Sequence, residues 1–236
     1  MKFSGTIKRL WRYPVKSLLG QSCTELSIDN RGVVGDRWYA ISNSKGKFGS
    51  GKNTRRFRKI EGLFSFRAEY EDGNLLIIFP DGRTLAGDDP NLNRELSAVL
   101  GQPVSLVAEK EVSHFDADSL HLVTTASLNW LKSLLPNSAI DERRFRPNLL
   151  IDLPGEELIE HHWLGQKMAV GRELEIEITG LTERCIMTTL AQEELECDRN
   201  ILQTINKQSG HNFGVYAKII QPGVVRIGDK LDIARN

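Results

Sequence analysis

Cysteine is scarce in this chain of 236 residues: Cys23, Cys185 and Cys197 are its only three. An odd number without paired metal-ligand spacing argues against a disulfide framework or a zinc site, and three thiols cannot supply the four that hold an iron–sulfur cluster. That usage suits a reducing, cytoplasmic compartment. Long apolar runs are missing too. The longest, such as Leu75–Phe79, fall far short of the roughly 20 residues that cross a bilayer. Met1–Leu10 lacks an apolar stretch leading to a small-residue cleavage site, so neither secretion nor a membrane partner is expected. The sequence has no glycine-rich loop of the nucleotide-phosphate type, no nucleophile elbow for a Ser-His-Asp hydrolase, no internal repeat and no low-complexity segment.

Net charge is also absent, at +0, but the balance hides an asymmetry. Residues 1–60 carry 14 Lys/Arg against 3 Asp/Glu, whereas residues 61–236 carry 17 against 28. Either the first part binds something anionic, or the two parts attract one another. A hydrophobic content of 40% with 26% charged residues is ordinary for a globular protein.

Short alternating runs dominate the chain. Thr6–Trp11, Thr24–Ile28 and Val33–Ile41 (interrupted at Gly35) read as strands, with Pro14–Ser17 a loop at a strand end. Ser42–Lys59 is glycine-rich, basic and without an apolar period, and so reads as a long loop. Leu63–Tyr70 and Asn74–Phe79 form a hairpin. Asp89-Pro90 opens a helix that Gly101 ends. Val104–Ala108 follows as a strand, and the polar Glu109–Asp118 is the candidate boundary between two halves. Leu120–Val123 runs into Thr124-Thr125, which caps a helix stopped by Pro136. Met168–Val170 and Leu174–Ile178 form a hairpin, Asp198 caps a third helix, and residues 213–219 and 225–233 alternate to the end. About ten strands and three helices without regular alternation predict a mainly β, barrel-like architecture of the α+β kind.

Cys185 lies just beyond a strand and beside Arg184. A thiol so placed is either a buried small apolar group or a thiolate available as nucleophile or metal ligand. Lys16-Ser17 could cradle an anion beside exposed backbone N–H groups. Arg37 could face either side of its strand. In Arg144-Phe-Arg-Pro-Asn148, Arg146 offers a planar fork of donors and Asn148 both a donor and an acceptor, which suits a flat heterocycle or a phosphate. Arg55–Lys59 invites a nucleic-acid reading, but the remaining chain lacks the extended positive footprint such binding needs. His121, His161 and His162 form neither a triad nor a metal set.

In order along the chain, Tyr13–Ser17, Gly32–Tyr39, Leu122–Leu128, Arg144–Leu149, Arg184–Thr189, Phe213–Tyr216 and Gly228-Asp229 resemble the MOSC family, named for the C-terminal domain of molybdenum cofactor sulfurase. The chain is similar in particular to the mitochondrial amidoxime reducing component and its bacterial relatives. The resemblance implies a smaller N-terminal β-barrel domain over residues 1–110 and a MOSC-type β-barrel over 111–236. It implies a molybdenum cofactor (molybdopterin with Mo), with Cys185 as the protein's metal ligand and catalytic residue. Lys16, Ser17 and Arg37 would hold the pterin and its phosphate from the first domain, and Arg146 and Asn148 from the second. Asp118 and Ser119 align with a cofactor-contacting loop. The implied activity is an oxidoreductase acting on N-hydroxylated or related N–O small-molecule substrates. No ferredoxin domain is appended, so a separate ferredoxin-like or flavin reductase partner would supply electrons. Ser50–Arg56 stands where reductase relatives often carry an Arg-Gln pair, a departure that bears on substrate class. Two other readings stand beside the reductase. One is a sulfur carrier, loaded as a Cys185 persulfide by a cysteine desulfurase. The other is a nonenzymatic nucleic-acid-binding module built on Arg55–Lys59.

Overall fold

The computed structural model describes residues 4–233, so the first three residues of the Met1–Leu10 stretch lie outside it. Seven strands close a barrel: β1 (Ser4–Arg12), β2 (Leu120–Thr124), β3 (Leu149–Asp152), β4 (Lys167–Val170), β5 (Leu174–Glu183), β6 (Asn212–Gln221) and β7 (Lys230–Ile233). Around the barrel the order is β3-β2-β6-β5-β4-β7-β1, and β1 pairs with β3 to complete the ring. The β2–β3 pair is parallel and the others are antiparallel. Period-two alternation explains the inward faces. Leu174, Ile176 and Ile178 of β5 meet Val215 and Ala217 of β6, with Ile7, Leu122, Ile151 and Met168 filling the centre. Each such aliphatic side chain contributes roughly 1.5–3 kcal/mol by leaving water.

A second core lies under an open, half-barrel sheet. Tyr39–Asn43 is flanked by Val104–Ala108 on one side and by Phe48–Ser50 and then Phe57–Lys59 on the other, with Val15–Lys16 also pairing to it. Helix α1 (Leu92–Leu100) buries Leu92 and Leu96 against Ile41, Phe66 and Ile77. A third cluster seats α2 (Thr125–Leu134) and α3 (Arg199–Ser209) on the barrel through Leu131, Ile201, Ile205, Phe145 and Phe213. Among the described residues no helix is long and apolar enough to cross a membrane.

The two halves are interleaved. β1 comes from the first 12 residues yet closes the later barrel, and Gly223–Arg226 pairs back onto Glu25–Asp29. A division at 110/111 therefore does not coincide with the hydrogen bonding of β1.

Several local expectations change. Val33–Ile41 is not one strand: Gly32–Val33 and Tyr39–Asn43 are separated by a turn in which Arg37 has φ 49°, so alternation cannot assign its face. The basic stretch 42–59 contains two short strands that pair in parallel. Leu63–Ser65 is a 3-10 turn ahead of the hairpin Arg67–Glu71/Asn74–Ile78. Asp89 accepts from Asn91 N at 2.7 Å, which moves the start of α1 to Leu92. Thr124 caps α2 through Ser127 N, Asp198 caps α3 through Asn200 N, and Gly101 and Gly210 end their helices in left-handed geometry.

Candidate functional site

The chain turns sharply wherever it approaches the space between the two cores. Of the six non-glycine residues with positive φ among the described residues, Ser17, Arg37 and Arg146 all border one cavity of about 430 Å³. A side chain in the left-handed region costs about 1–3 kcal/mol, and such strain persists only where surrounding bonds over-determine it. Those bonds are identifiable. Arg37 N donates to Tyr13 O at 2.7 Å, and Tyr13 N donates to the carboxylate of the fully buried Asp36 at 2.6 Å. Ser17 Oγ donates to Gly49 O at 3.0 Å. Arg146 N reaches the carbonyls of Glu142 and Arg143 at the end of a 3-10 turn.

The cavity's cations differ in how they are balanced. Arg37 is ion-paired with Asp36; burial opposes its charge, but Asp36 and then Tyr13 hold its pKa above the ordinary value. Buried Lys16 donates to His114 O at 2.8 Å, lies 3.1 Å from Asp116 and sits over the Phe57 ring. Burial outweighs Asp116 and brings its pKa down to about 8. Arg146 and Arg184 have no carboxylate within ion-pair distance among the described residues. Burial brings both down to about 10, with Arg37 adding repulsion at Arg146. Arg146 donates Nη1 to Leu18 O at 2.6 Å and stacks 4.1 Å over the Tyr13 ring, while its sealed Nη2 has no partner. A buried guanidinium without counter-ion is costly, and an anion entering the cavity would relieve that cost.

His121 joins the two arginines. Arg184 can only donate, so His121 Nε2 must accept from its Nη2 at 2.5 Å, and His121 Nδ1 then donates to Arg146 O at 3.2 Å. Burial, reinforced by Arg184, holds the His121 pKa well below its usual value, so the imidazole is neutral at pH 7. The other Arg184 donors reach Phe213 O at 2.7 Å and Phe145 O at 3.0 Å. The guanidinium is thus committed to the cavity wall. Its sequence neighbour Cys185 is half-buried at the start of the 3-10 turn Ile186–Thr189 and lines the cavity.

Of the residues singled out in the sequence, Lys16, Ser17, Arg37, Asp118, Arg146, Asn148 and Cys185 all line this cavity. Two of them carry other duties. Asn148 Nδ2 donates to Trp11 O at 3.2 Å and its Oδ1 accepts from His121 N at 3.2 Å, tying β1 to β2. Asp118 accepts from Thr179 Oγ1 at 2.6 Å. Ser119 is not part of the lining; its N–H is turned to Asp118 and its carbonyl packs on Gly32. The basic stretch is split. Lys52 lines the cavity, Arg56 ties to the carbonyls of Ser113 and Phe115, and Lys59 pairs with Glu61. His161 and His162 sit in a 3-10 turn rather than a strand, Cys23 packs beside the barrel core, and Cys197 is exposed.

Sequence reasoning missed Asp36, Asp116, His121 and Tyr216. Asp36 had a visible signal, being one of three acids in the basic first 60 residues. His121 had none, because its partners arrive from the 3-10 turn ahead of β3 and from the end of β5. Among the described residues no group of three or more His, Cys, Asp or Glu could hold a metal, so a metal at Cys185 must bring its other ligands with it. A metal carried on an anionic organic ligand fits this donor set: one thiol, uncompensated guanidinium groups and an orphaned N–H.

Comparison with known proteins agrees with this picture at the level of family and fold. The family described as the MOSC domain matches residues 101–232, and the MOSC N-terminal beta barrel domain matches residues 4–135. Mitochondrial amidoxime-reducing component 1 of Mus musculus is 23% identical over 286 aligned residues, covering 95% of this chain and 81% of that protein. The YUAD protein from Bacillus subtilis has a similar fold, with a TM-score of 0.51 at 10% identity over 100% of this chain and 99% of that one. A solved hypothetical protein gives 0.50 at 11% identity, over 100% of this chain and 69% of its own.

Proposed function

The chain belongs to the MOSC family, and from that premise we propose that its cavity binds a molybdenum–pterin cofactor and that the protein is an oxidoreductase acting on N–O compounds. The observation that carries this reading is the pair of half-buried arginines without ion-pair partners, Arg146 and Arg184, beside a half-buried thiol. The amidoxime-reducing name of the mouse relative supports the substrate class. When bound, the cofactor supplies a two-electron redox centre with a coordination position open to substrate oxygen.

The chain's own residues bind and orient. Cys185 is the single protein ligand to the metal. Arg146 directs its unpartnered Nη2 at an anionic oxygen. Lys16 and Arg37 add charge from the first part of the chain, and Ser17 adds a hydroxyl. Asp118 takes its place through the Thr179 contact. Asn148 acts mainly by holding β1 and β2 together behind the arginines. Neutral His121 keeps Arg184 in the wall rather than over the thiol. In this reading residues 1–110 and 111–236 are functional halves that each furnish one wall, and β1 belongs structurally to the second. A separate redox protein delivers the electrons.

The test is metal and pterin analysis of protein purified from a cofactor-competent host. The expected result is molybdenum and pterin near one per chain in the wild type. Cys185→Ala should lose the metal while retaining part of the pterin, because the phosphate contacts remain. A wild-type protein that contains neither would refute the reading.

A further inference from the structure

A second cavity of about 600 Å³, open on one side, adjoins the first. Ser50 and Met187 line both. The two differ in chemistry. The first is ringed by cations; the second is walled by Leu19, Ile60, Leu63 and Phe64 on one side and by Met187 and Leu190 on the other. Charged groups at its border are already engaged: Lys59 pairs with Glu61, and Glu193 pairs with Arg67 and Arg143. The apolar walls themselves offer no charge to a ligand.

Met187 forms the shared wall. It lies two residues after Cys185 on the same 3-10 turn, and its Sδ accepts from Gly51 N at 2.9 Å. That contact joins the loop after Phe48–Ser50 to the turn bearing the thiol. A Cβ added at Gly51 would lie 2.4 Å from Met187 Sδ and 3.2 Å from Leu190 Cδ1. Since a methionine end is flexible, the wall would shift without disturbing the backbone.

We propose that this groove binds the uncharged, ring-sized apolar body of the substrate, whose polar end passes Met187 into the cationic cavity. Apolar walls with few polar groups, in a space of several hundred Å³, are the usual form of such a site. Continuity with the thiol's cavity selects a small molecule that reaches both. The identity of the reacting end rests on the reading of the preceding subsection; occupancy of the groove does not.

The test uses the protein as purified, labelled with ¹³C at methionine methyls. The chain has three methionines, of which Met168 is sealed in the barrel core and serves as an internal reference. Titration with benzamide, a neutral ring, should shift the Met187 resonance saturably and leave Met168 unmoved. Ala191→Phe, at an exposed position on the groove border, should weaken that response tenfold or more. Gly51→Ala should move the Met187 resonance before any probe is added. A Met187 signal unmoved at millimolar benzamide, or equally responsive in Ala191→Phe, would overturn the proposal. So would a signal that depends on protein concentration alone, which would put a second copy in the groove. Protein that carries molybdenum and pterin but ignores benzamide defeats only the groove. Protein that lacks both yet responds leaves the groove standing and removes the cofactor reading.

Discussion

Replacing Lys16 with methionine should change the pH dependence of stability in a direction opposite to that of an ordinary ion pair. Methionine keeps a stem of similar length against Phe57 and removes only the charge. In the folded protein burial lowers the Lys16 pKa from 10.5 to about 8, despite Asp116 nearby. Below pH 8 the lysine is protonated in both folded and unfolded chains, so the full cost of burying its charge is present, roughly 3 kcal/mol. Between pH 8 and 10.5 the unfolded chain retains a proton that the folded protein has released, so folded stability rises with pH. Measured against Lys16→Met, the wild type should gain about 1.3 kcal/mol between pH 7 and 9, and about 2.5 kcal/mol by pH 10. At pH 7 the variant leaves His114 O without its donor, a loss of roughly 1–2 kcal/mol, and should still equal or exceed the wild type in stability. Tyr13 acts in the opposite sense. Burial raises its pKa, so above pH 10 the unfolded chain sheds a proton that the folded protein keeps, and stability falls in both proteins. Urea denaturation of ligand-free wild type and variant at pH 7, 8, 9 and 10 reads the difference directly. A difference that stays flat across that window would refute the assignment of a buried ammonium at position 16 whose burial outweighs its pairing with Asp116.

Two further substitutions probe the opposite wall. Arg146→Gln should weaken binding of inorganic phosphate, measured by calorimetry, by roughly 10- to 100-fold, the value of one or two charge-assisted hydrogen bonds. Its melting temperature without ligand should change little, since the lost Leu18 contact is offset by removing a cation that Arg37 repels. Gly214→Ala should destabilise the protein by about 3 kcal/mol in chemical denaturation: Gly214 has φ 80°, and a Cβ there would lie 2.7 Å from Leu122 O and 2.8 Å from His121 Nε2. A neutral outcome would mean that the His121–Arg184 wall is looser than its geometry implies.

Much of the barrel was legible because its strands alternate cleanly. Leu174, Ile176 and Ile178 face inward as their spacing predicts, and the caps Thr124 and Asp198 mark two helix starts. The first half was less legible for a physical reason. Its strands are two to five residues long, and the parallel pairing of Phe48–Ser50 with Phe57–Lys59 comes from contacts distant in sequence rather than from a local period. Arg37 illustrates the limit. Alternation presumes extended backbone, and a residue with φ 49° has left that regime. The residues that several short motifs singled out, Lys16-Ser17, Arg146 and Cys185, converge on one cavity. Their supporting residues were not legible, because Asp36 and His121 act through partners brought near only by folding.

The charge asymmetry of the sequence resolves largely into contacts between its two parts. The first 60 residues are strongly basic, yet many of their cations are spent on ordinary contacts: Lys8 on Asp152, Arg31 on Glu109, Lys59 on Glu61. The two parts do attract one another. Of the guanidinium groups that line the cavity, Arg144, Arg146 and Arg184 lack a carboxylate partner, and all three come from the acidic remainder of the chain. A surplus of cations along the sequence therefore does not by itself point to the proposed anion site; a deficit of counter-ions around one cavity does. That deficit coincides with three strained backbone positions, a neutral histidine pinned between two arginines, and a half-buried thiol. Each would be cheaper to replace by an apolar, unstrained residue if stability alone were selected, and their concentration around one cavity is what the proposed cofactor site would draw on.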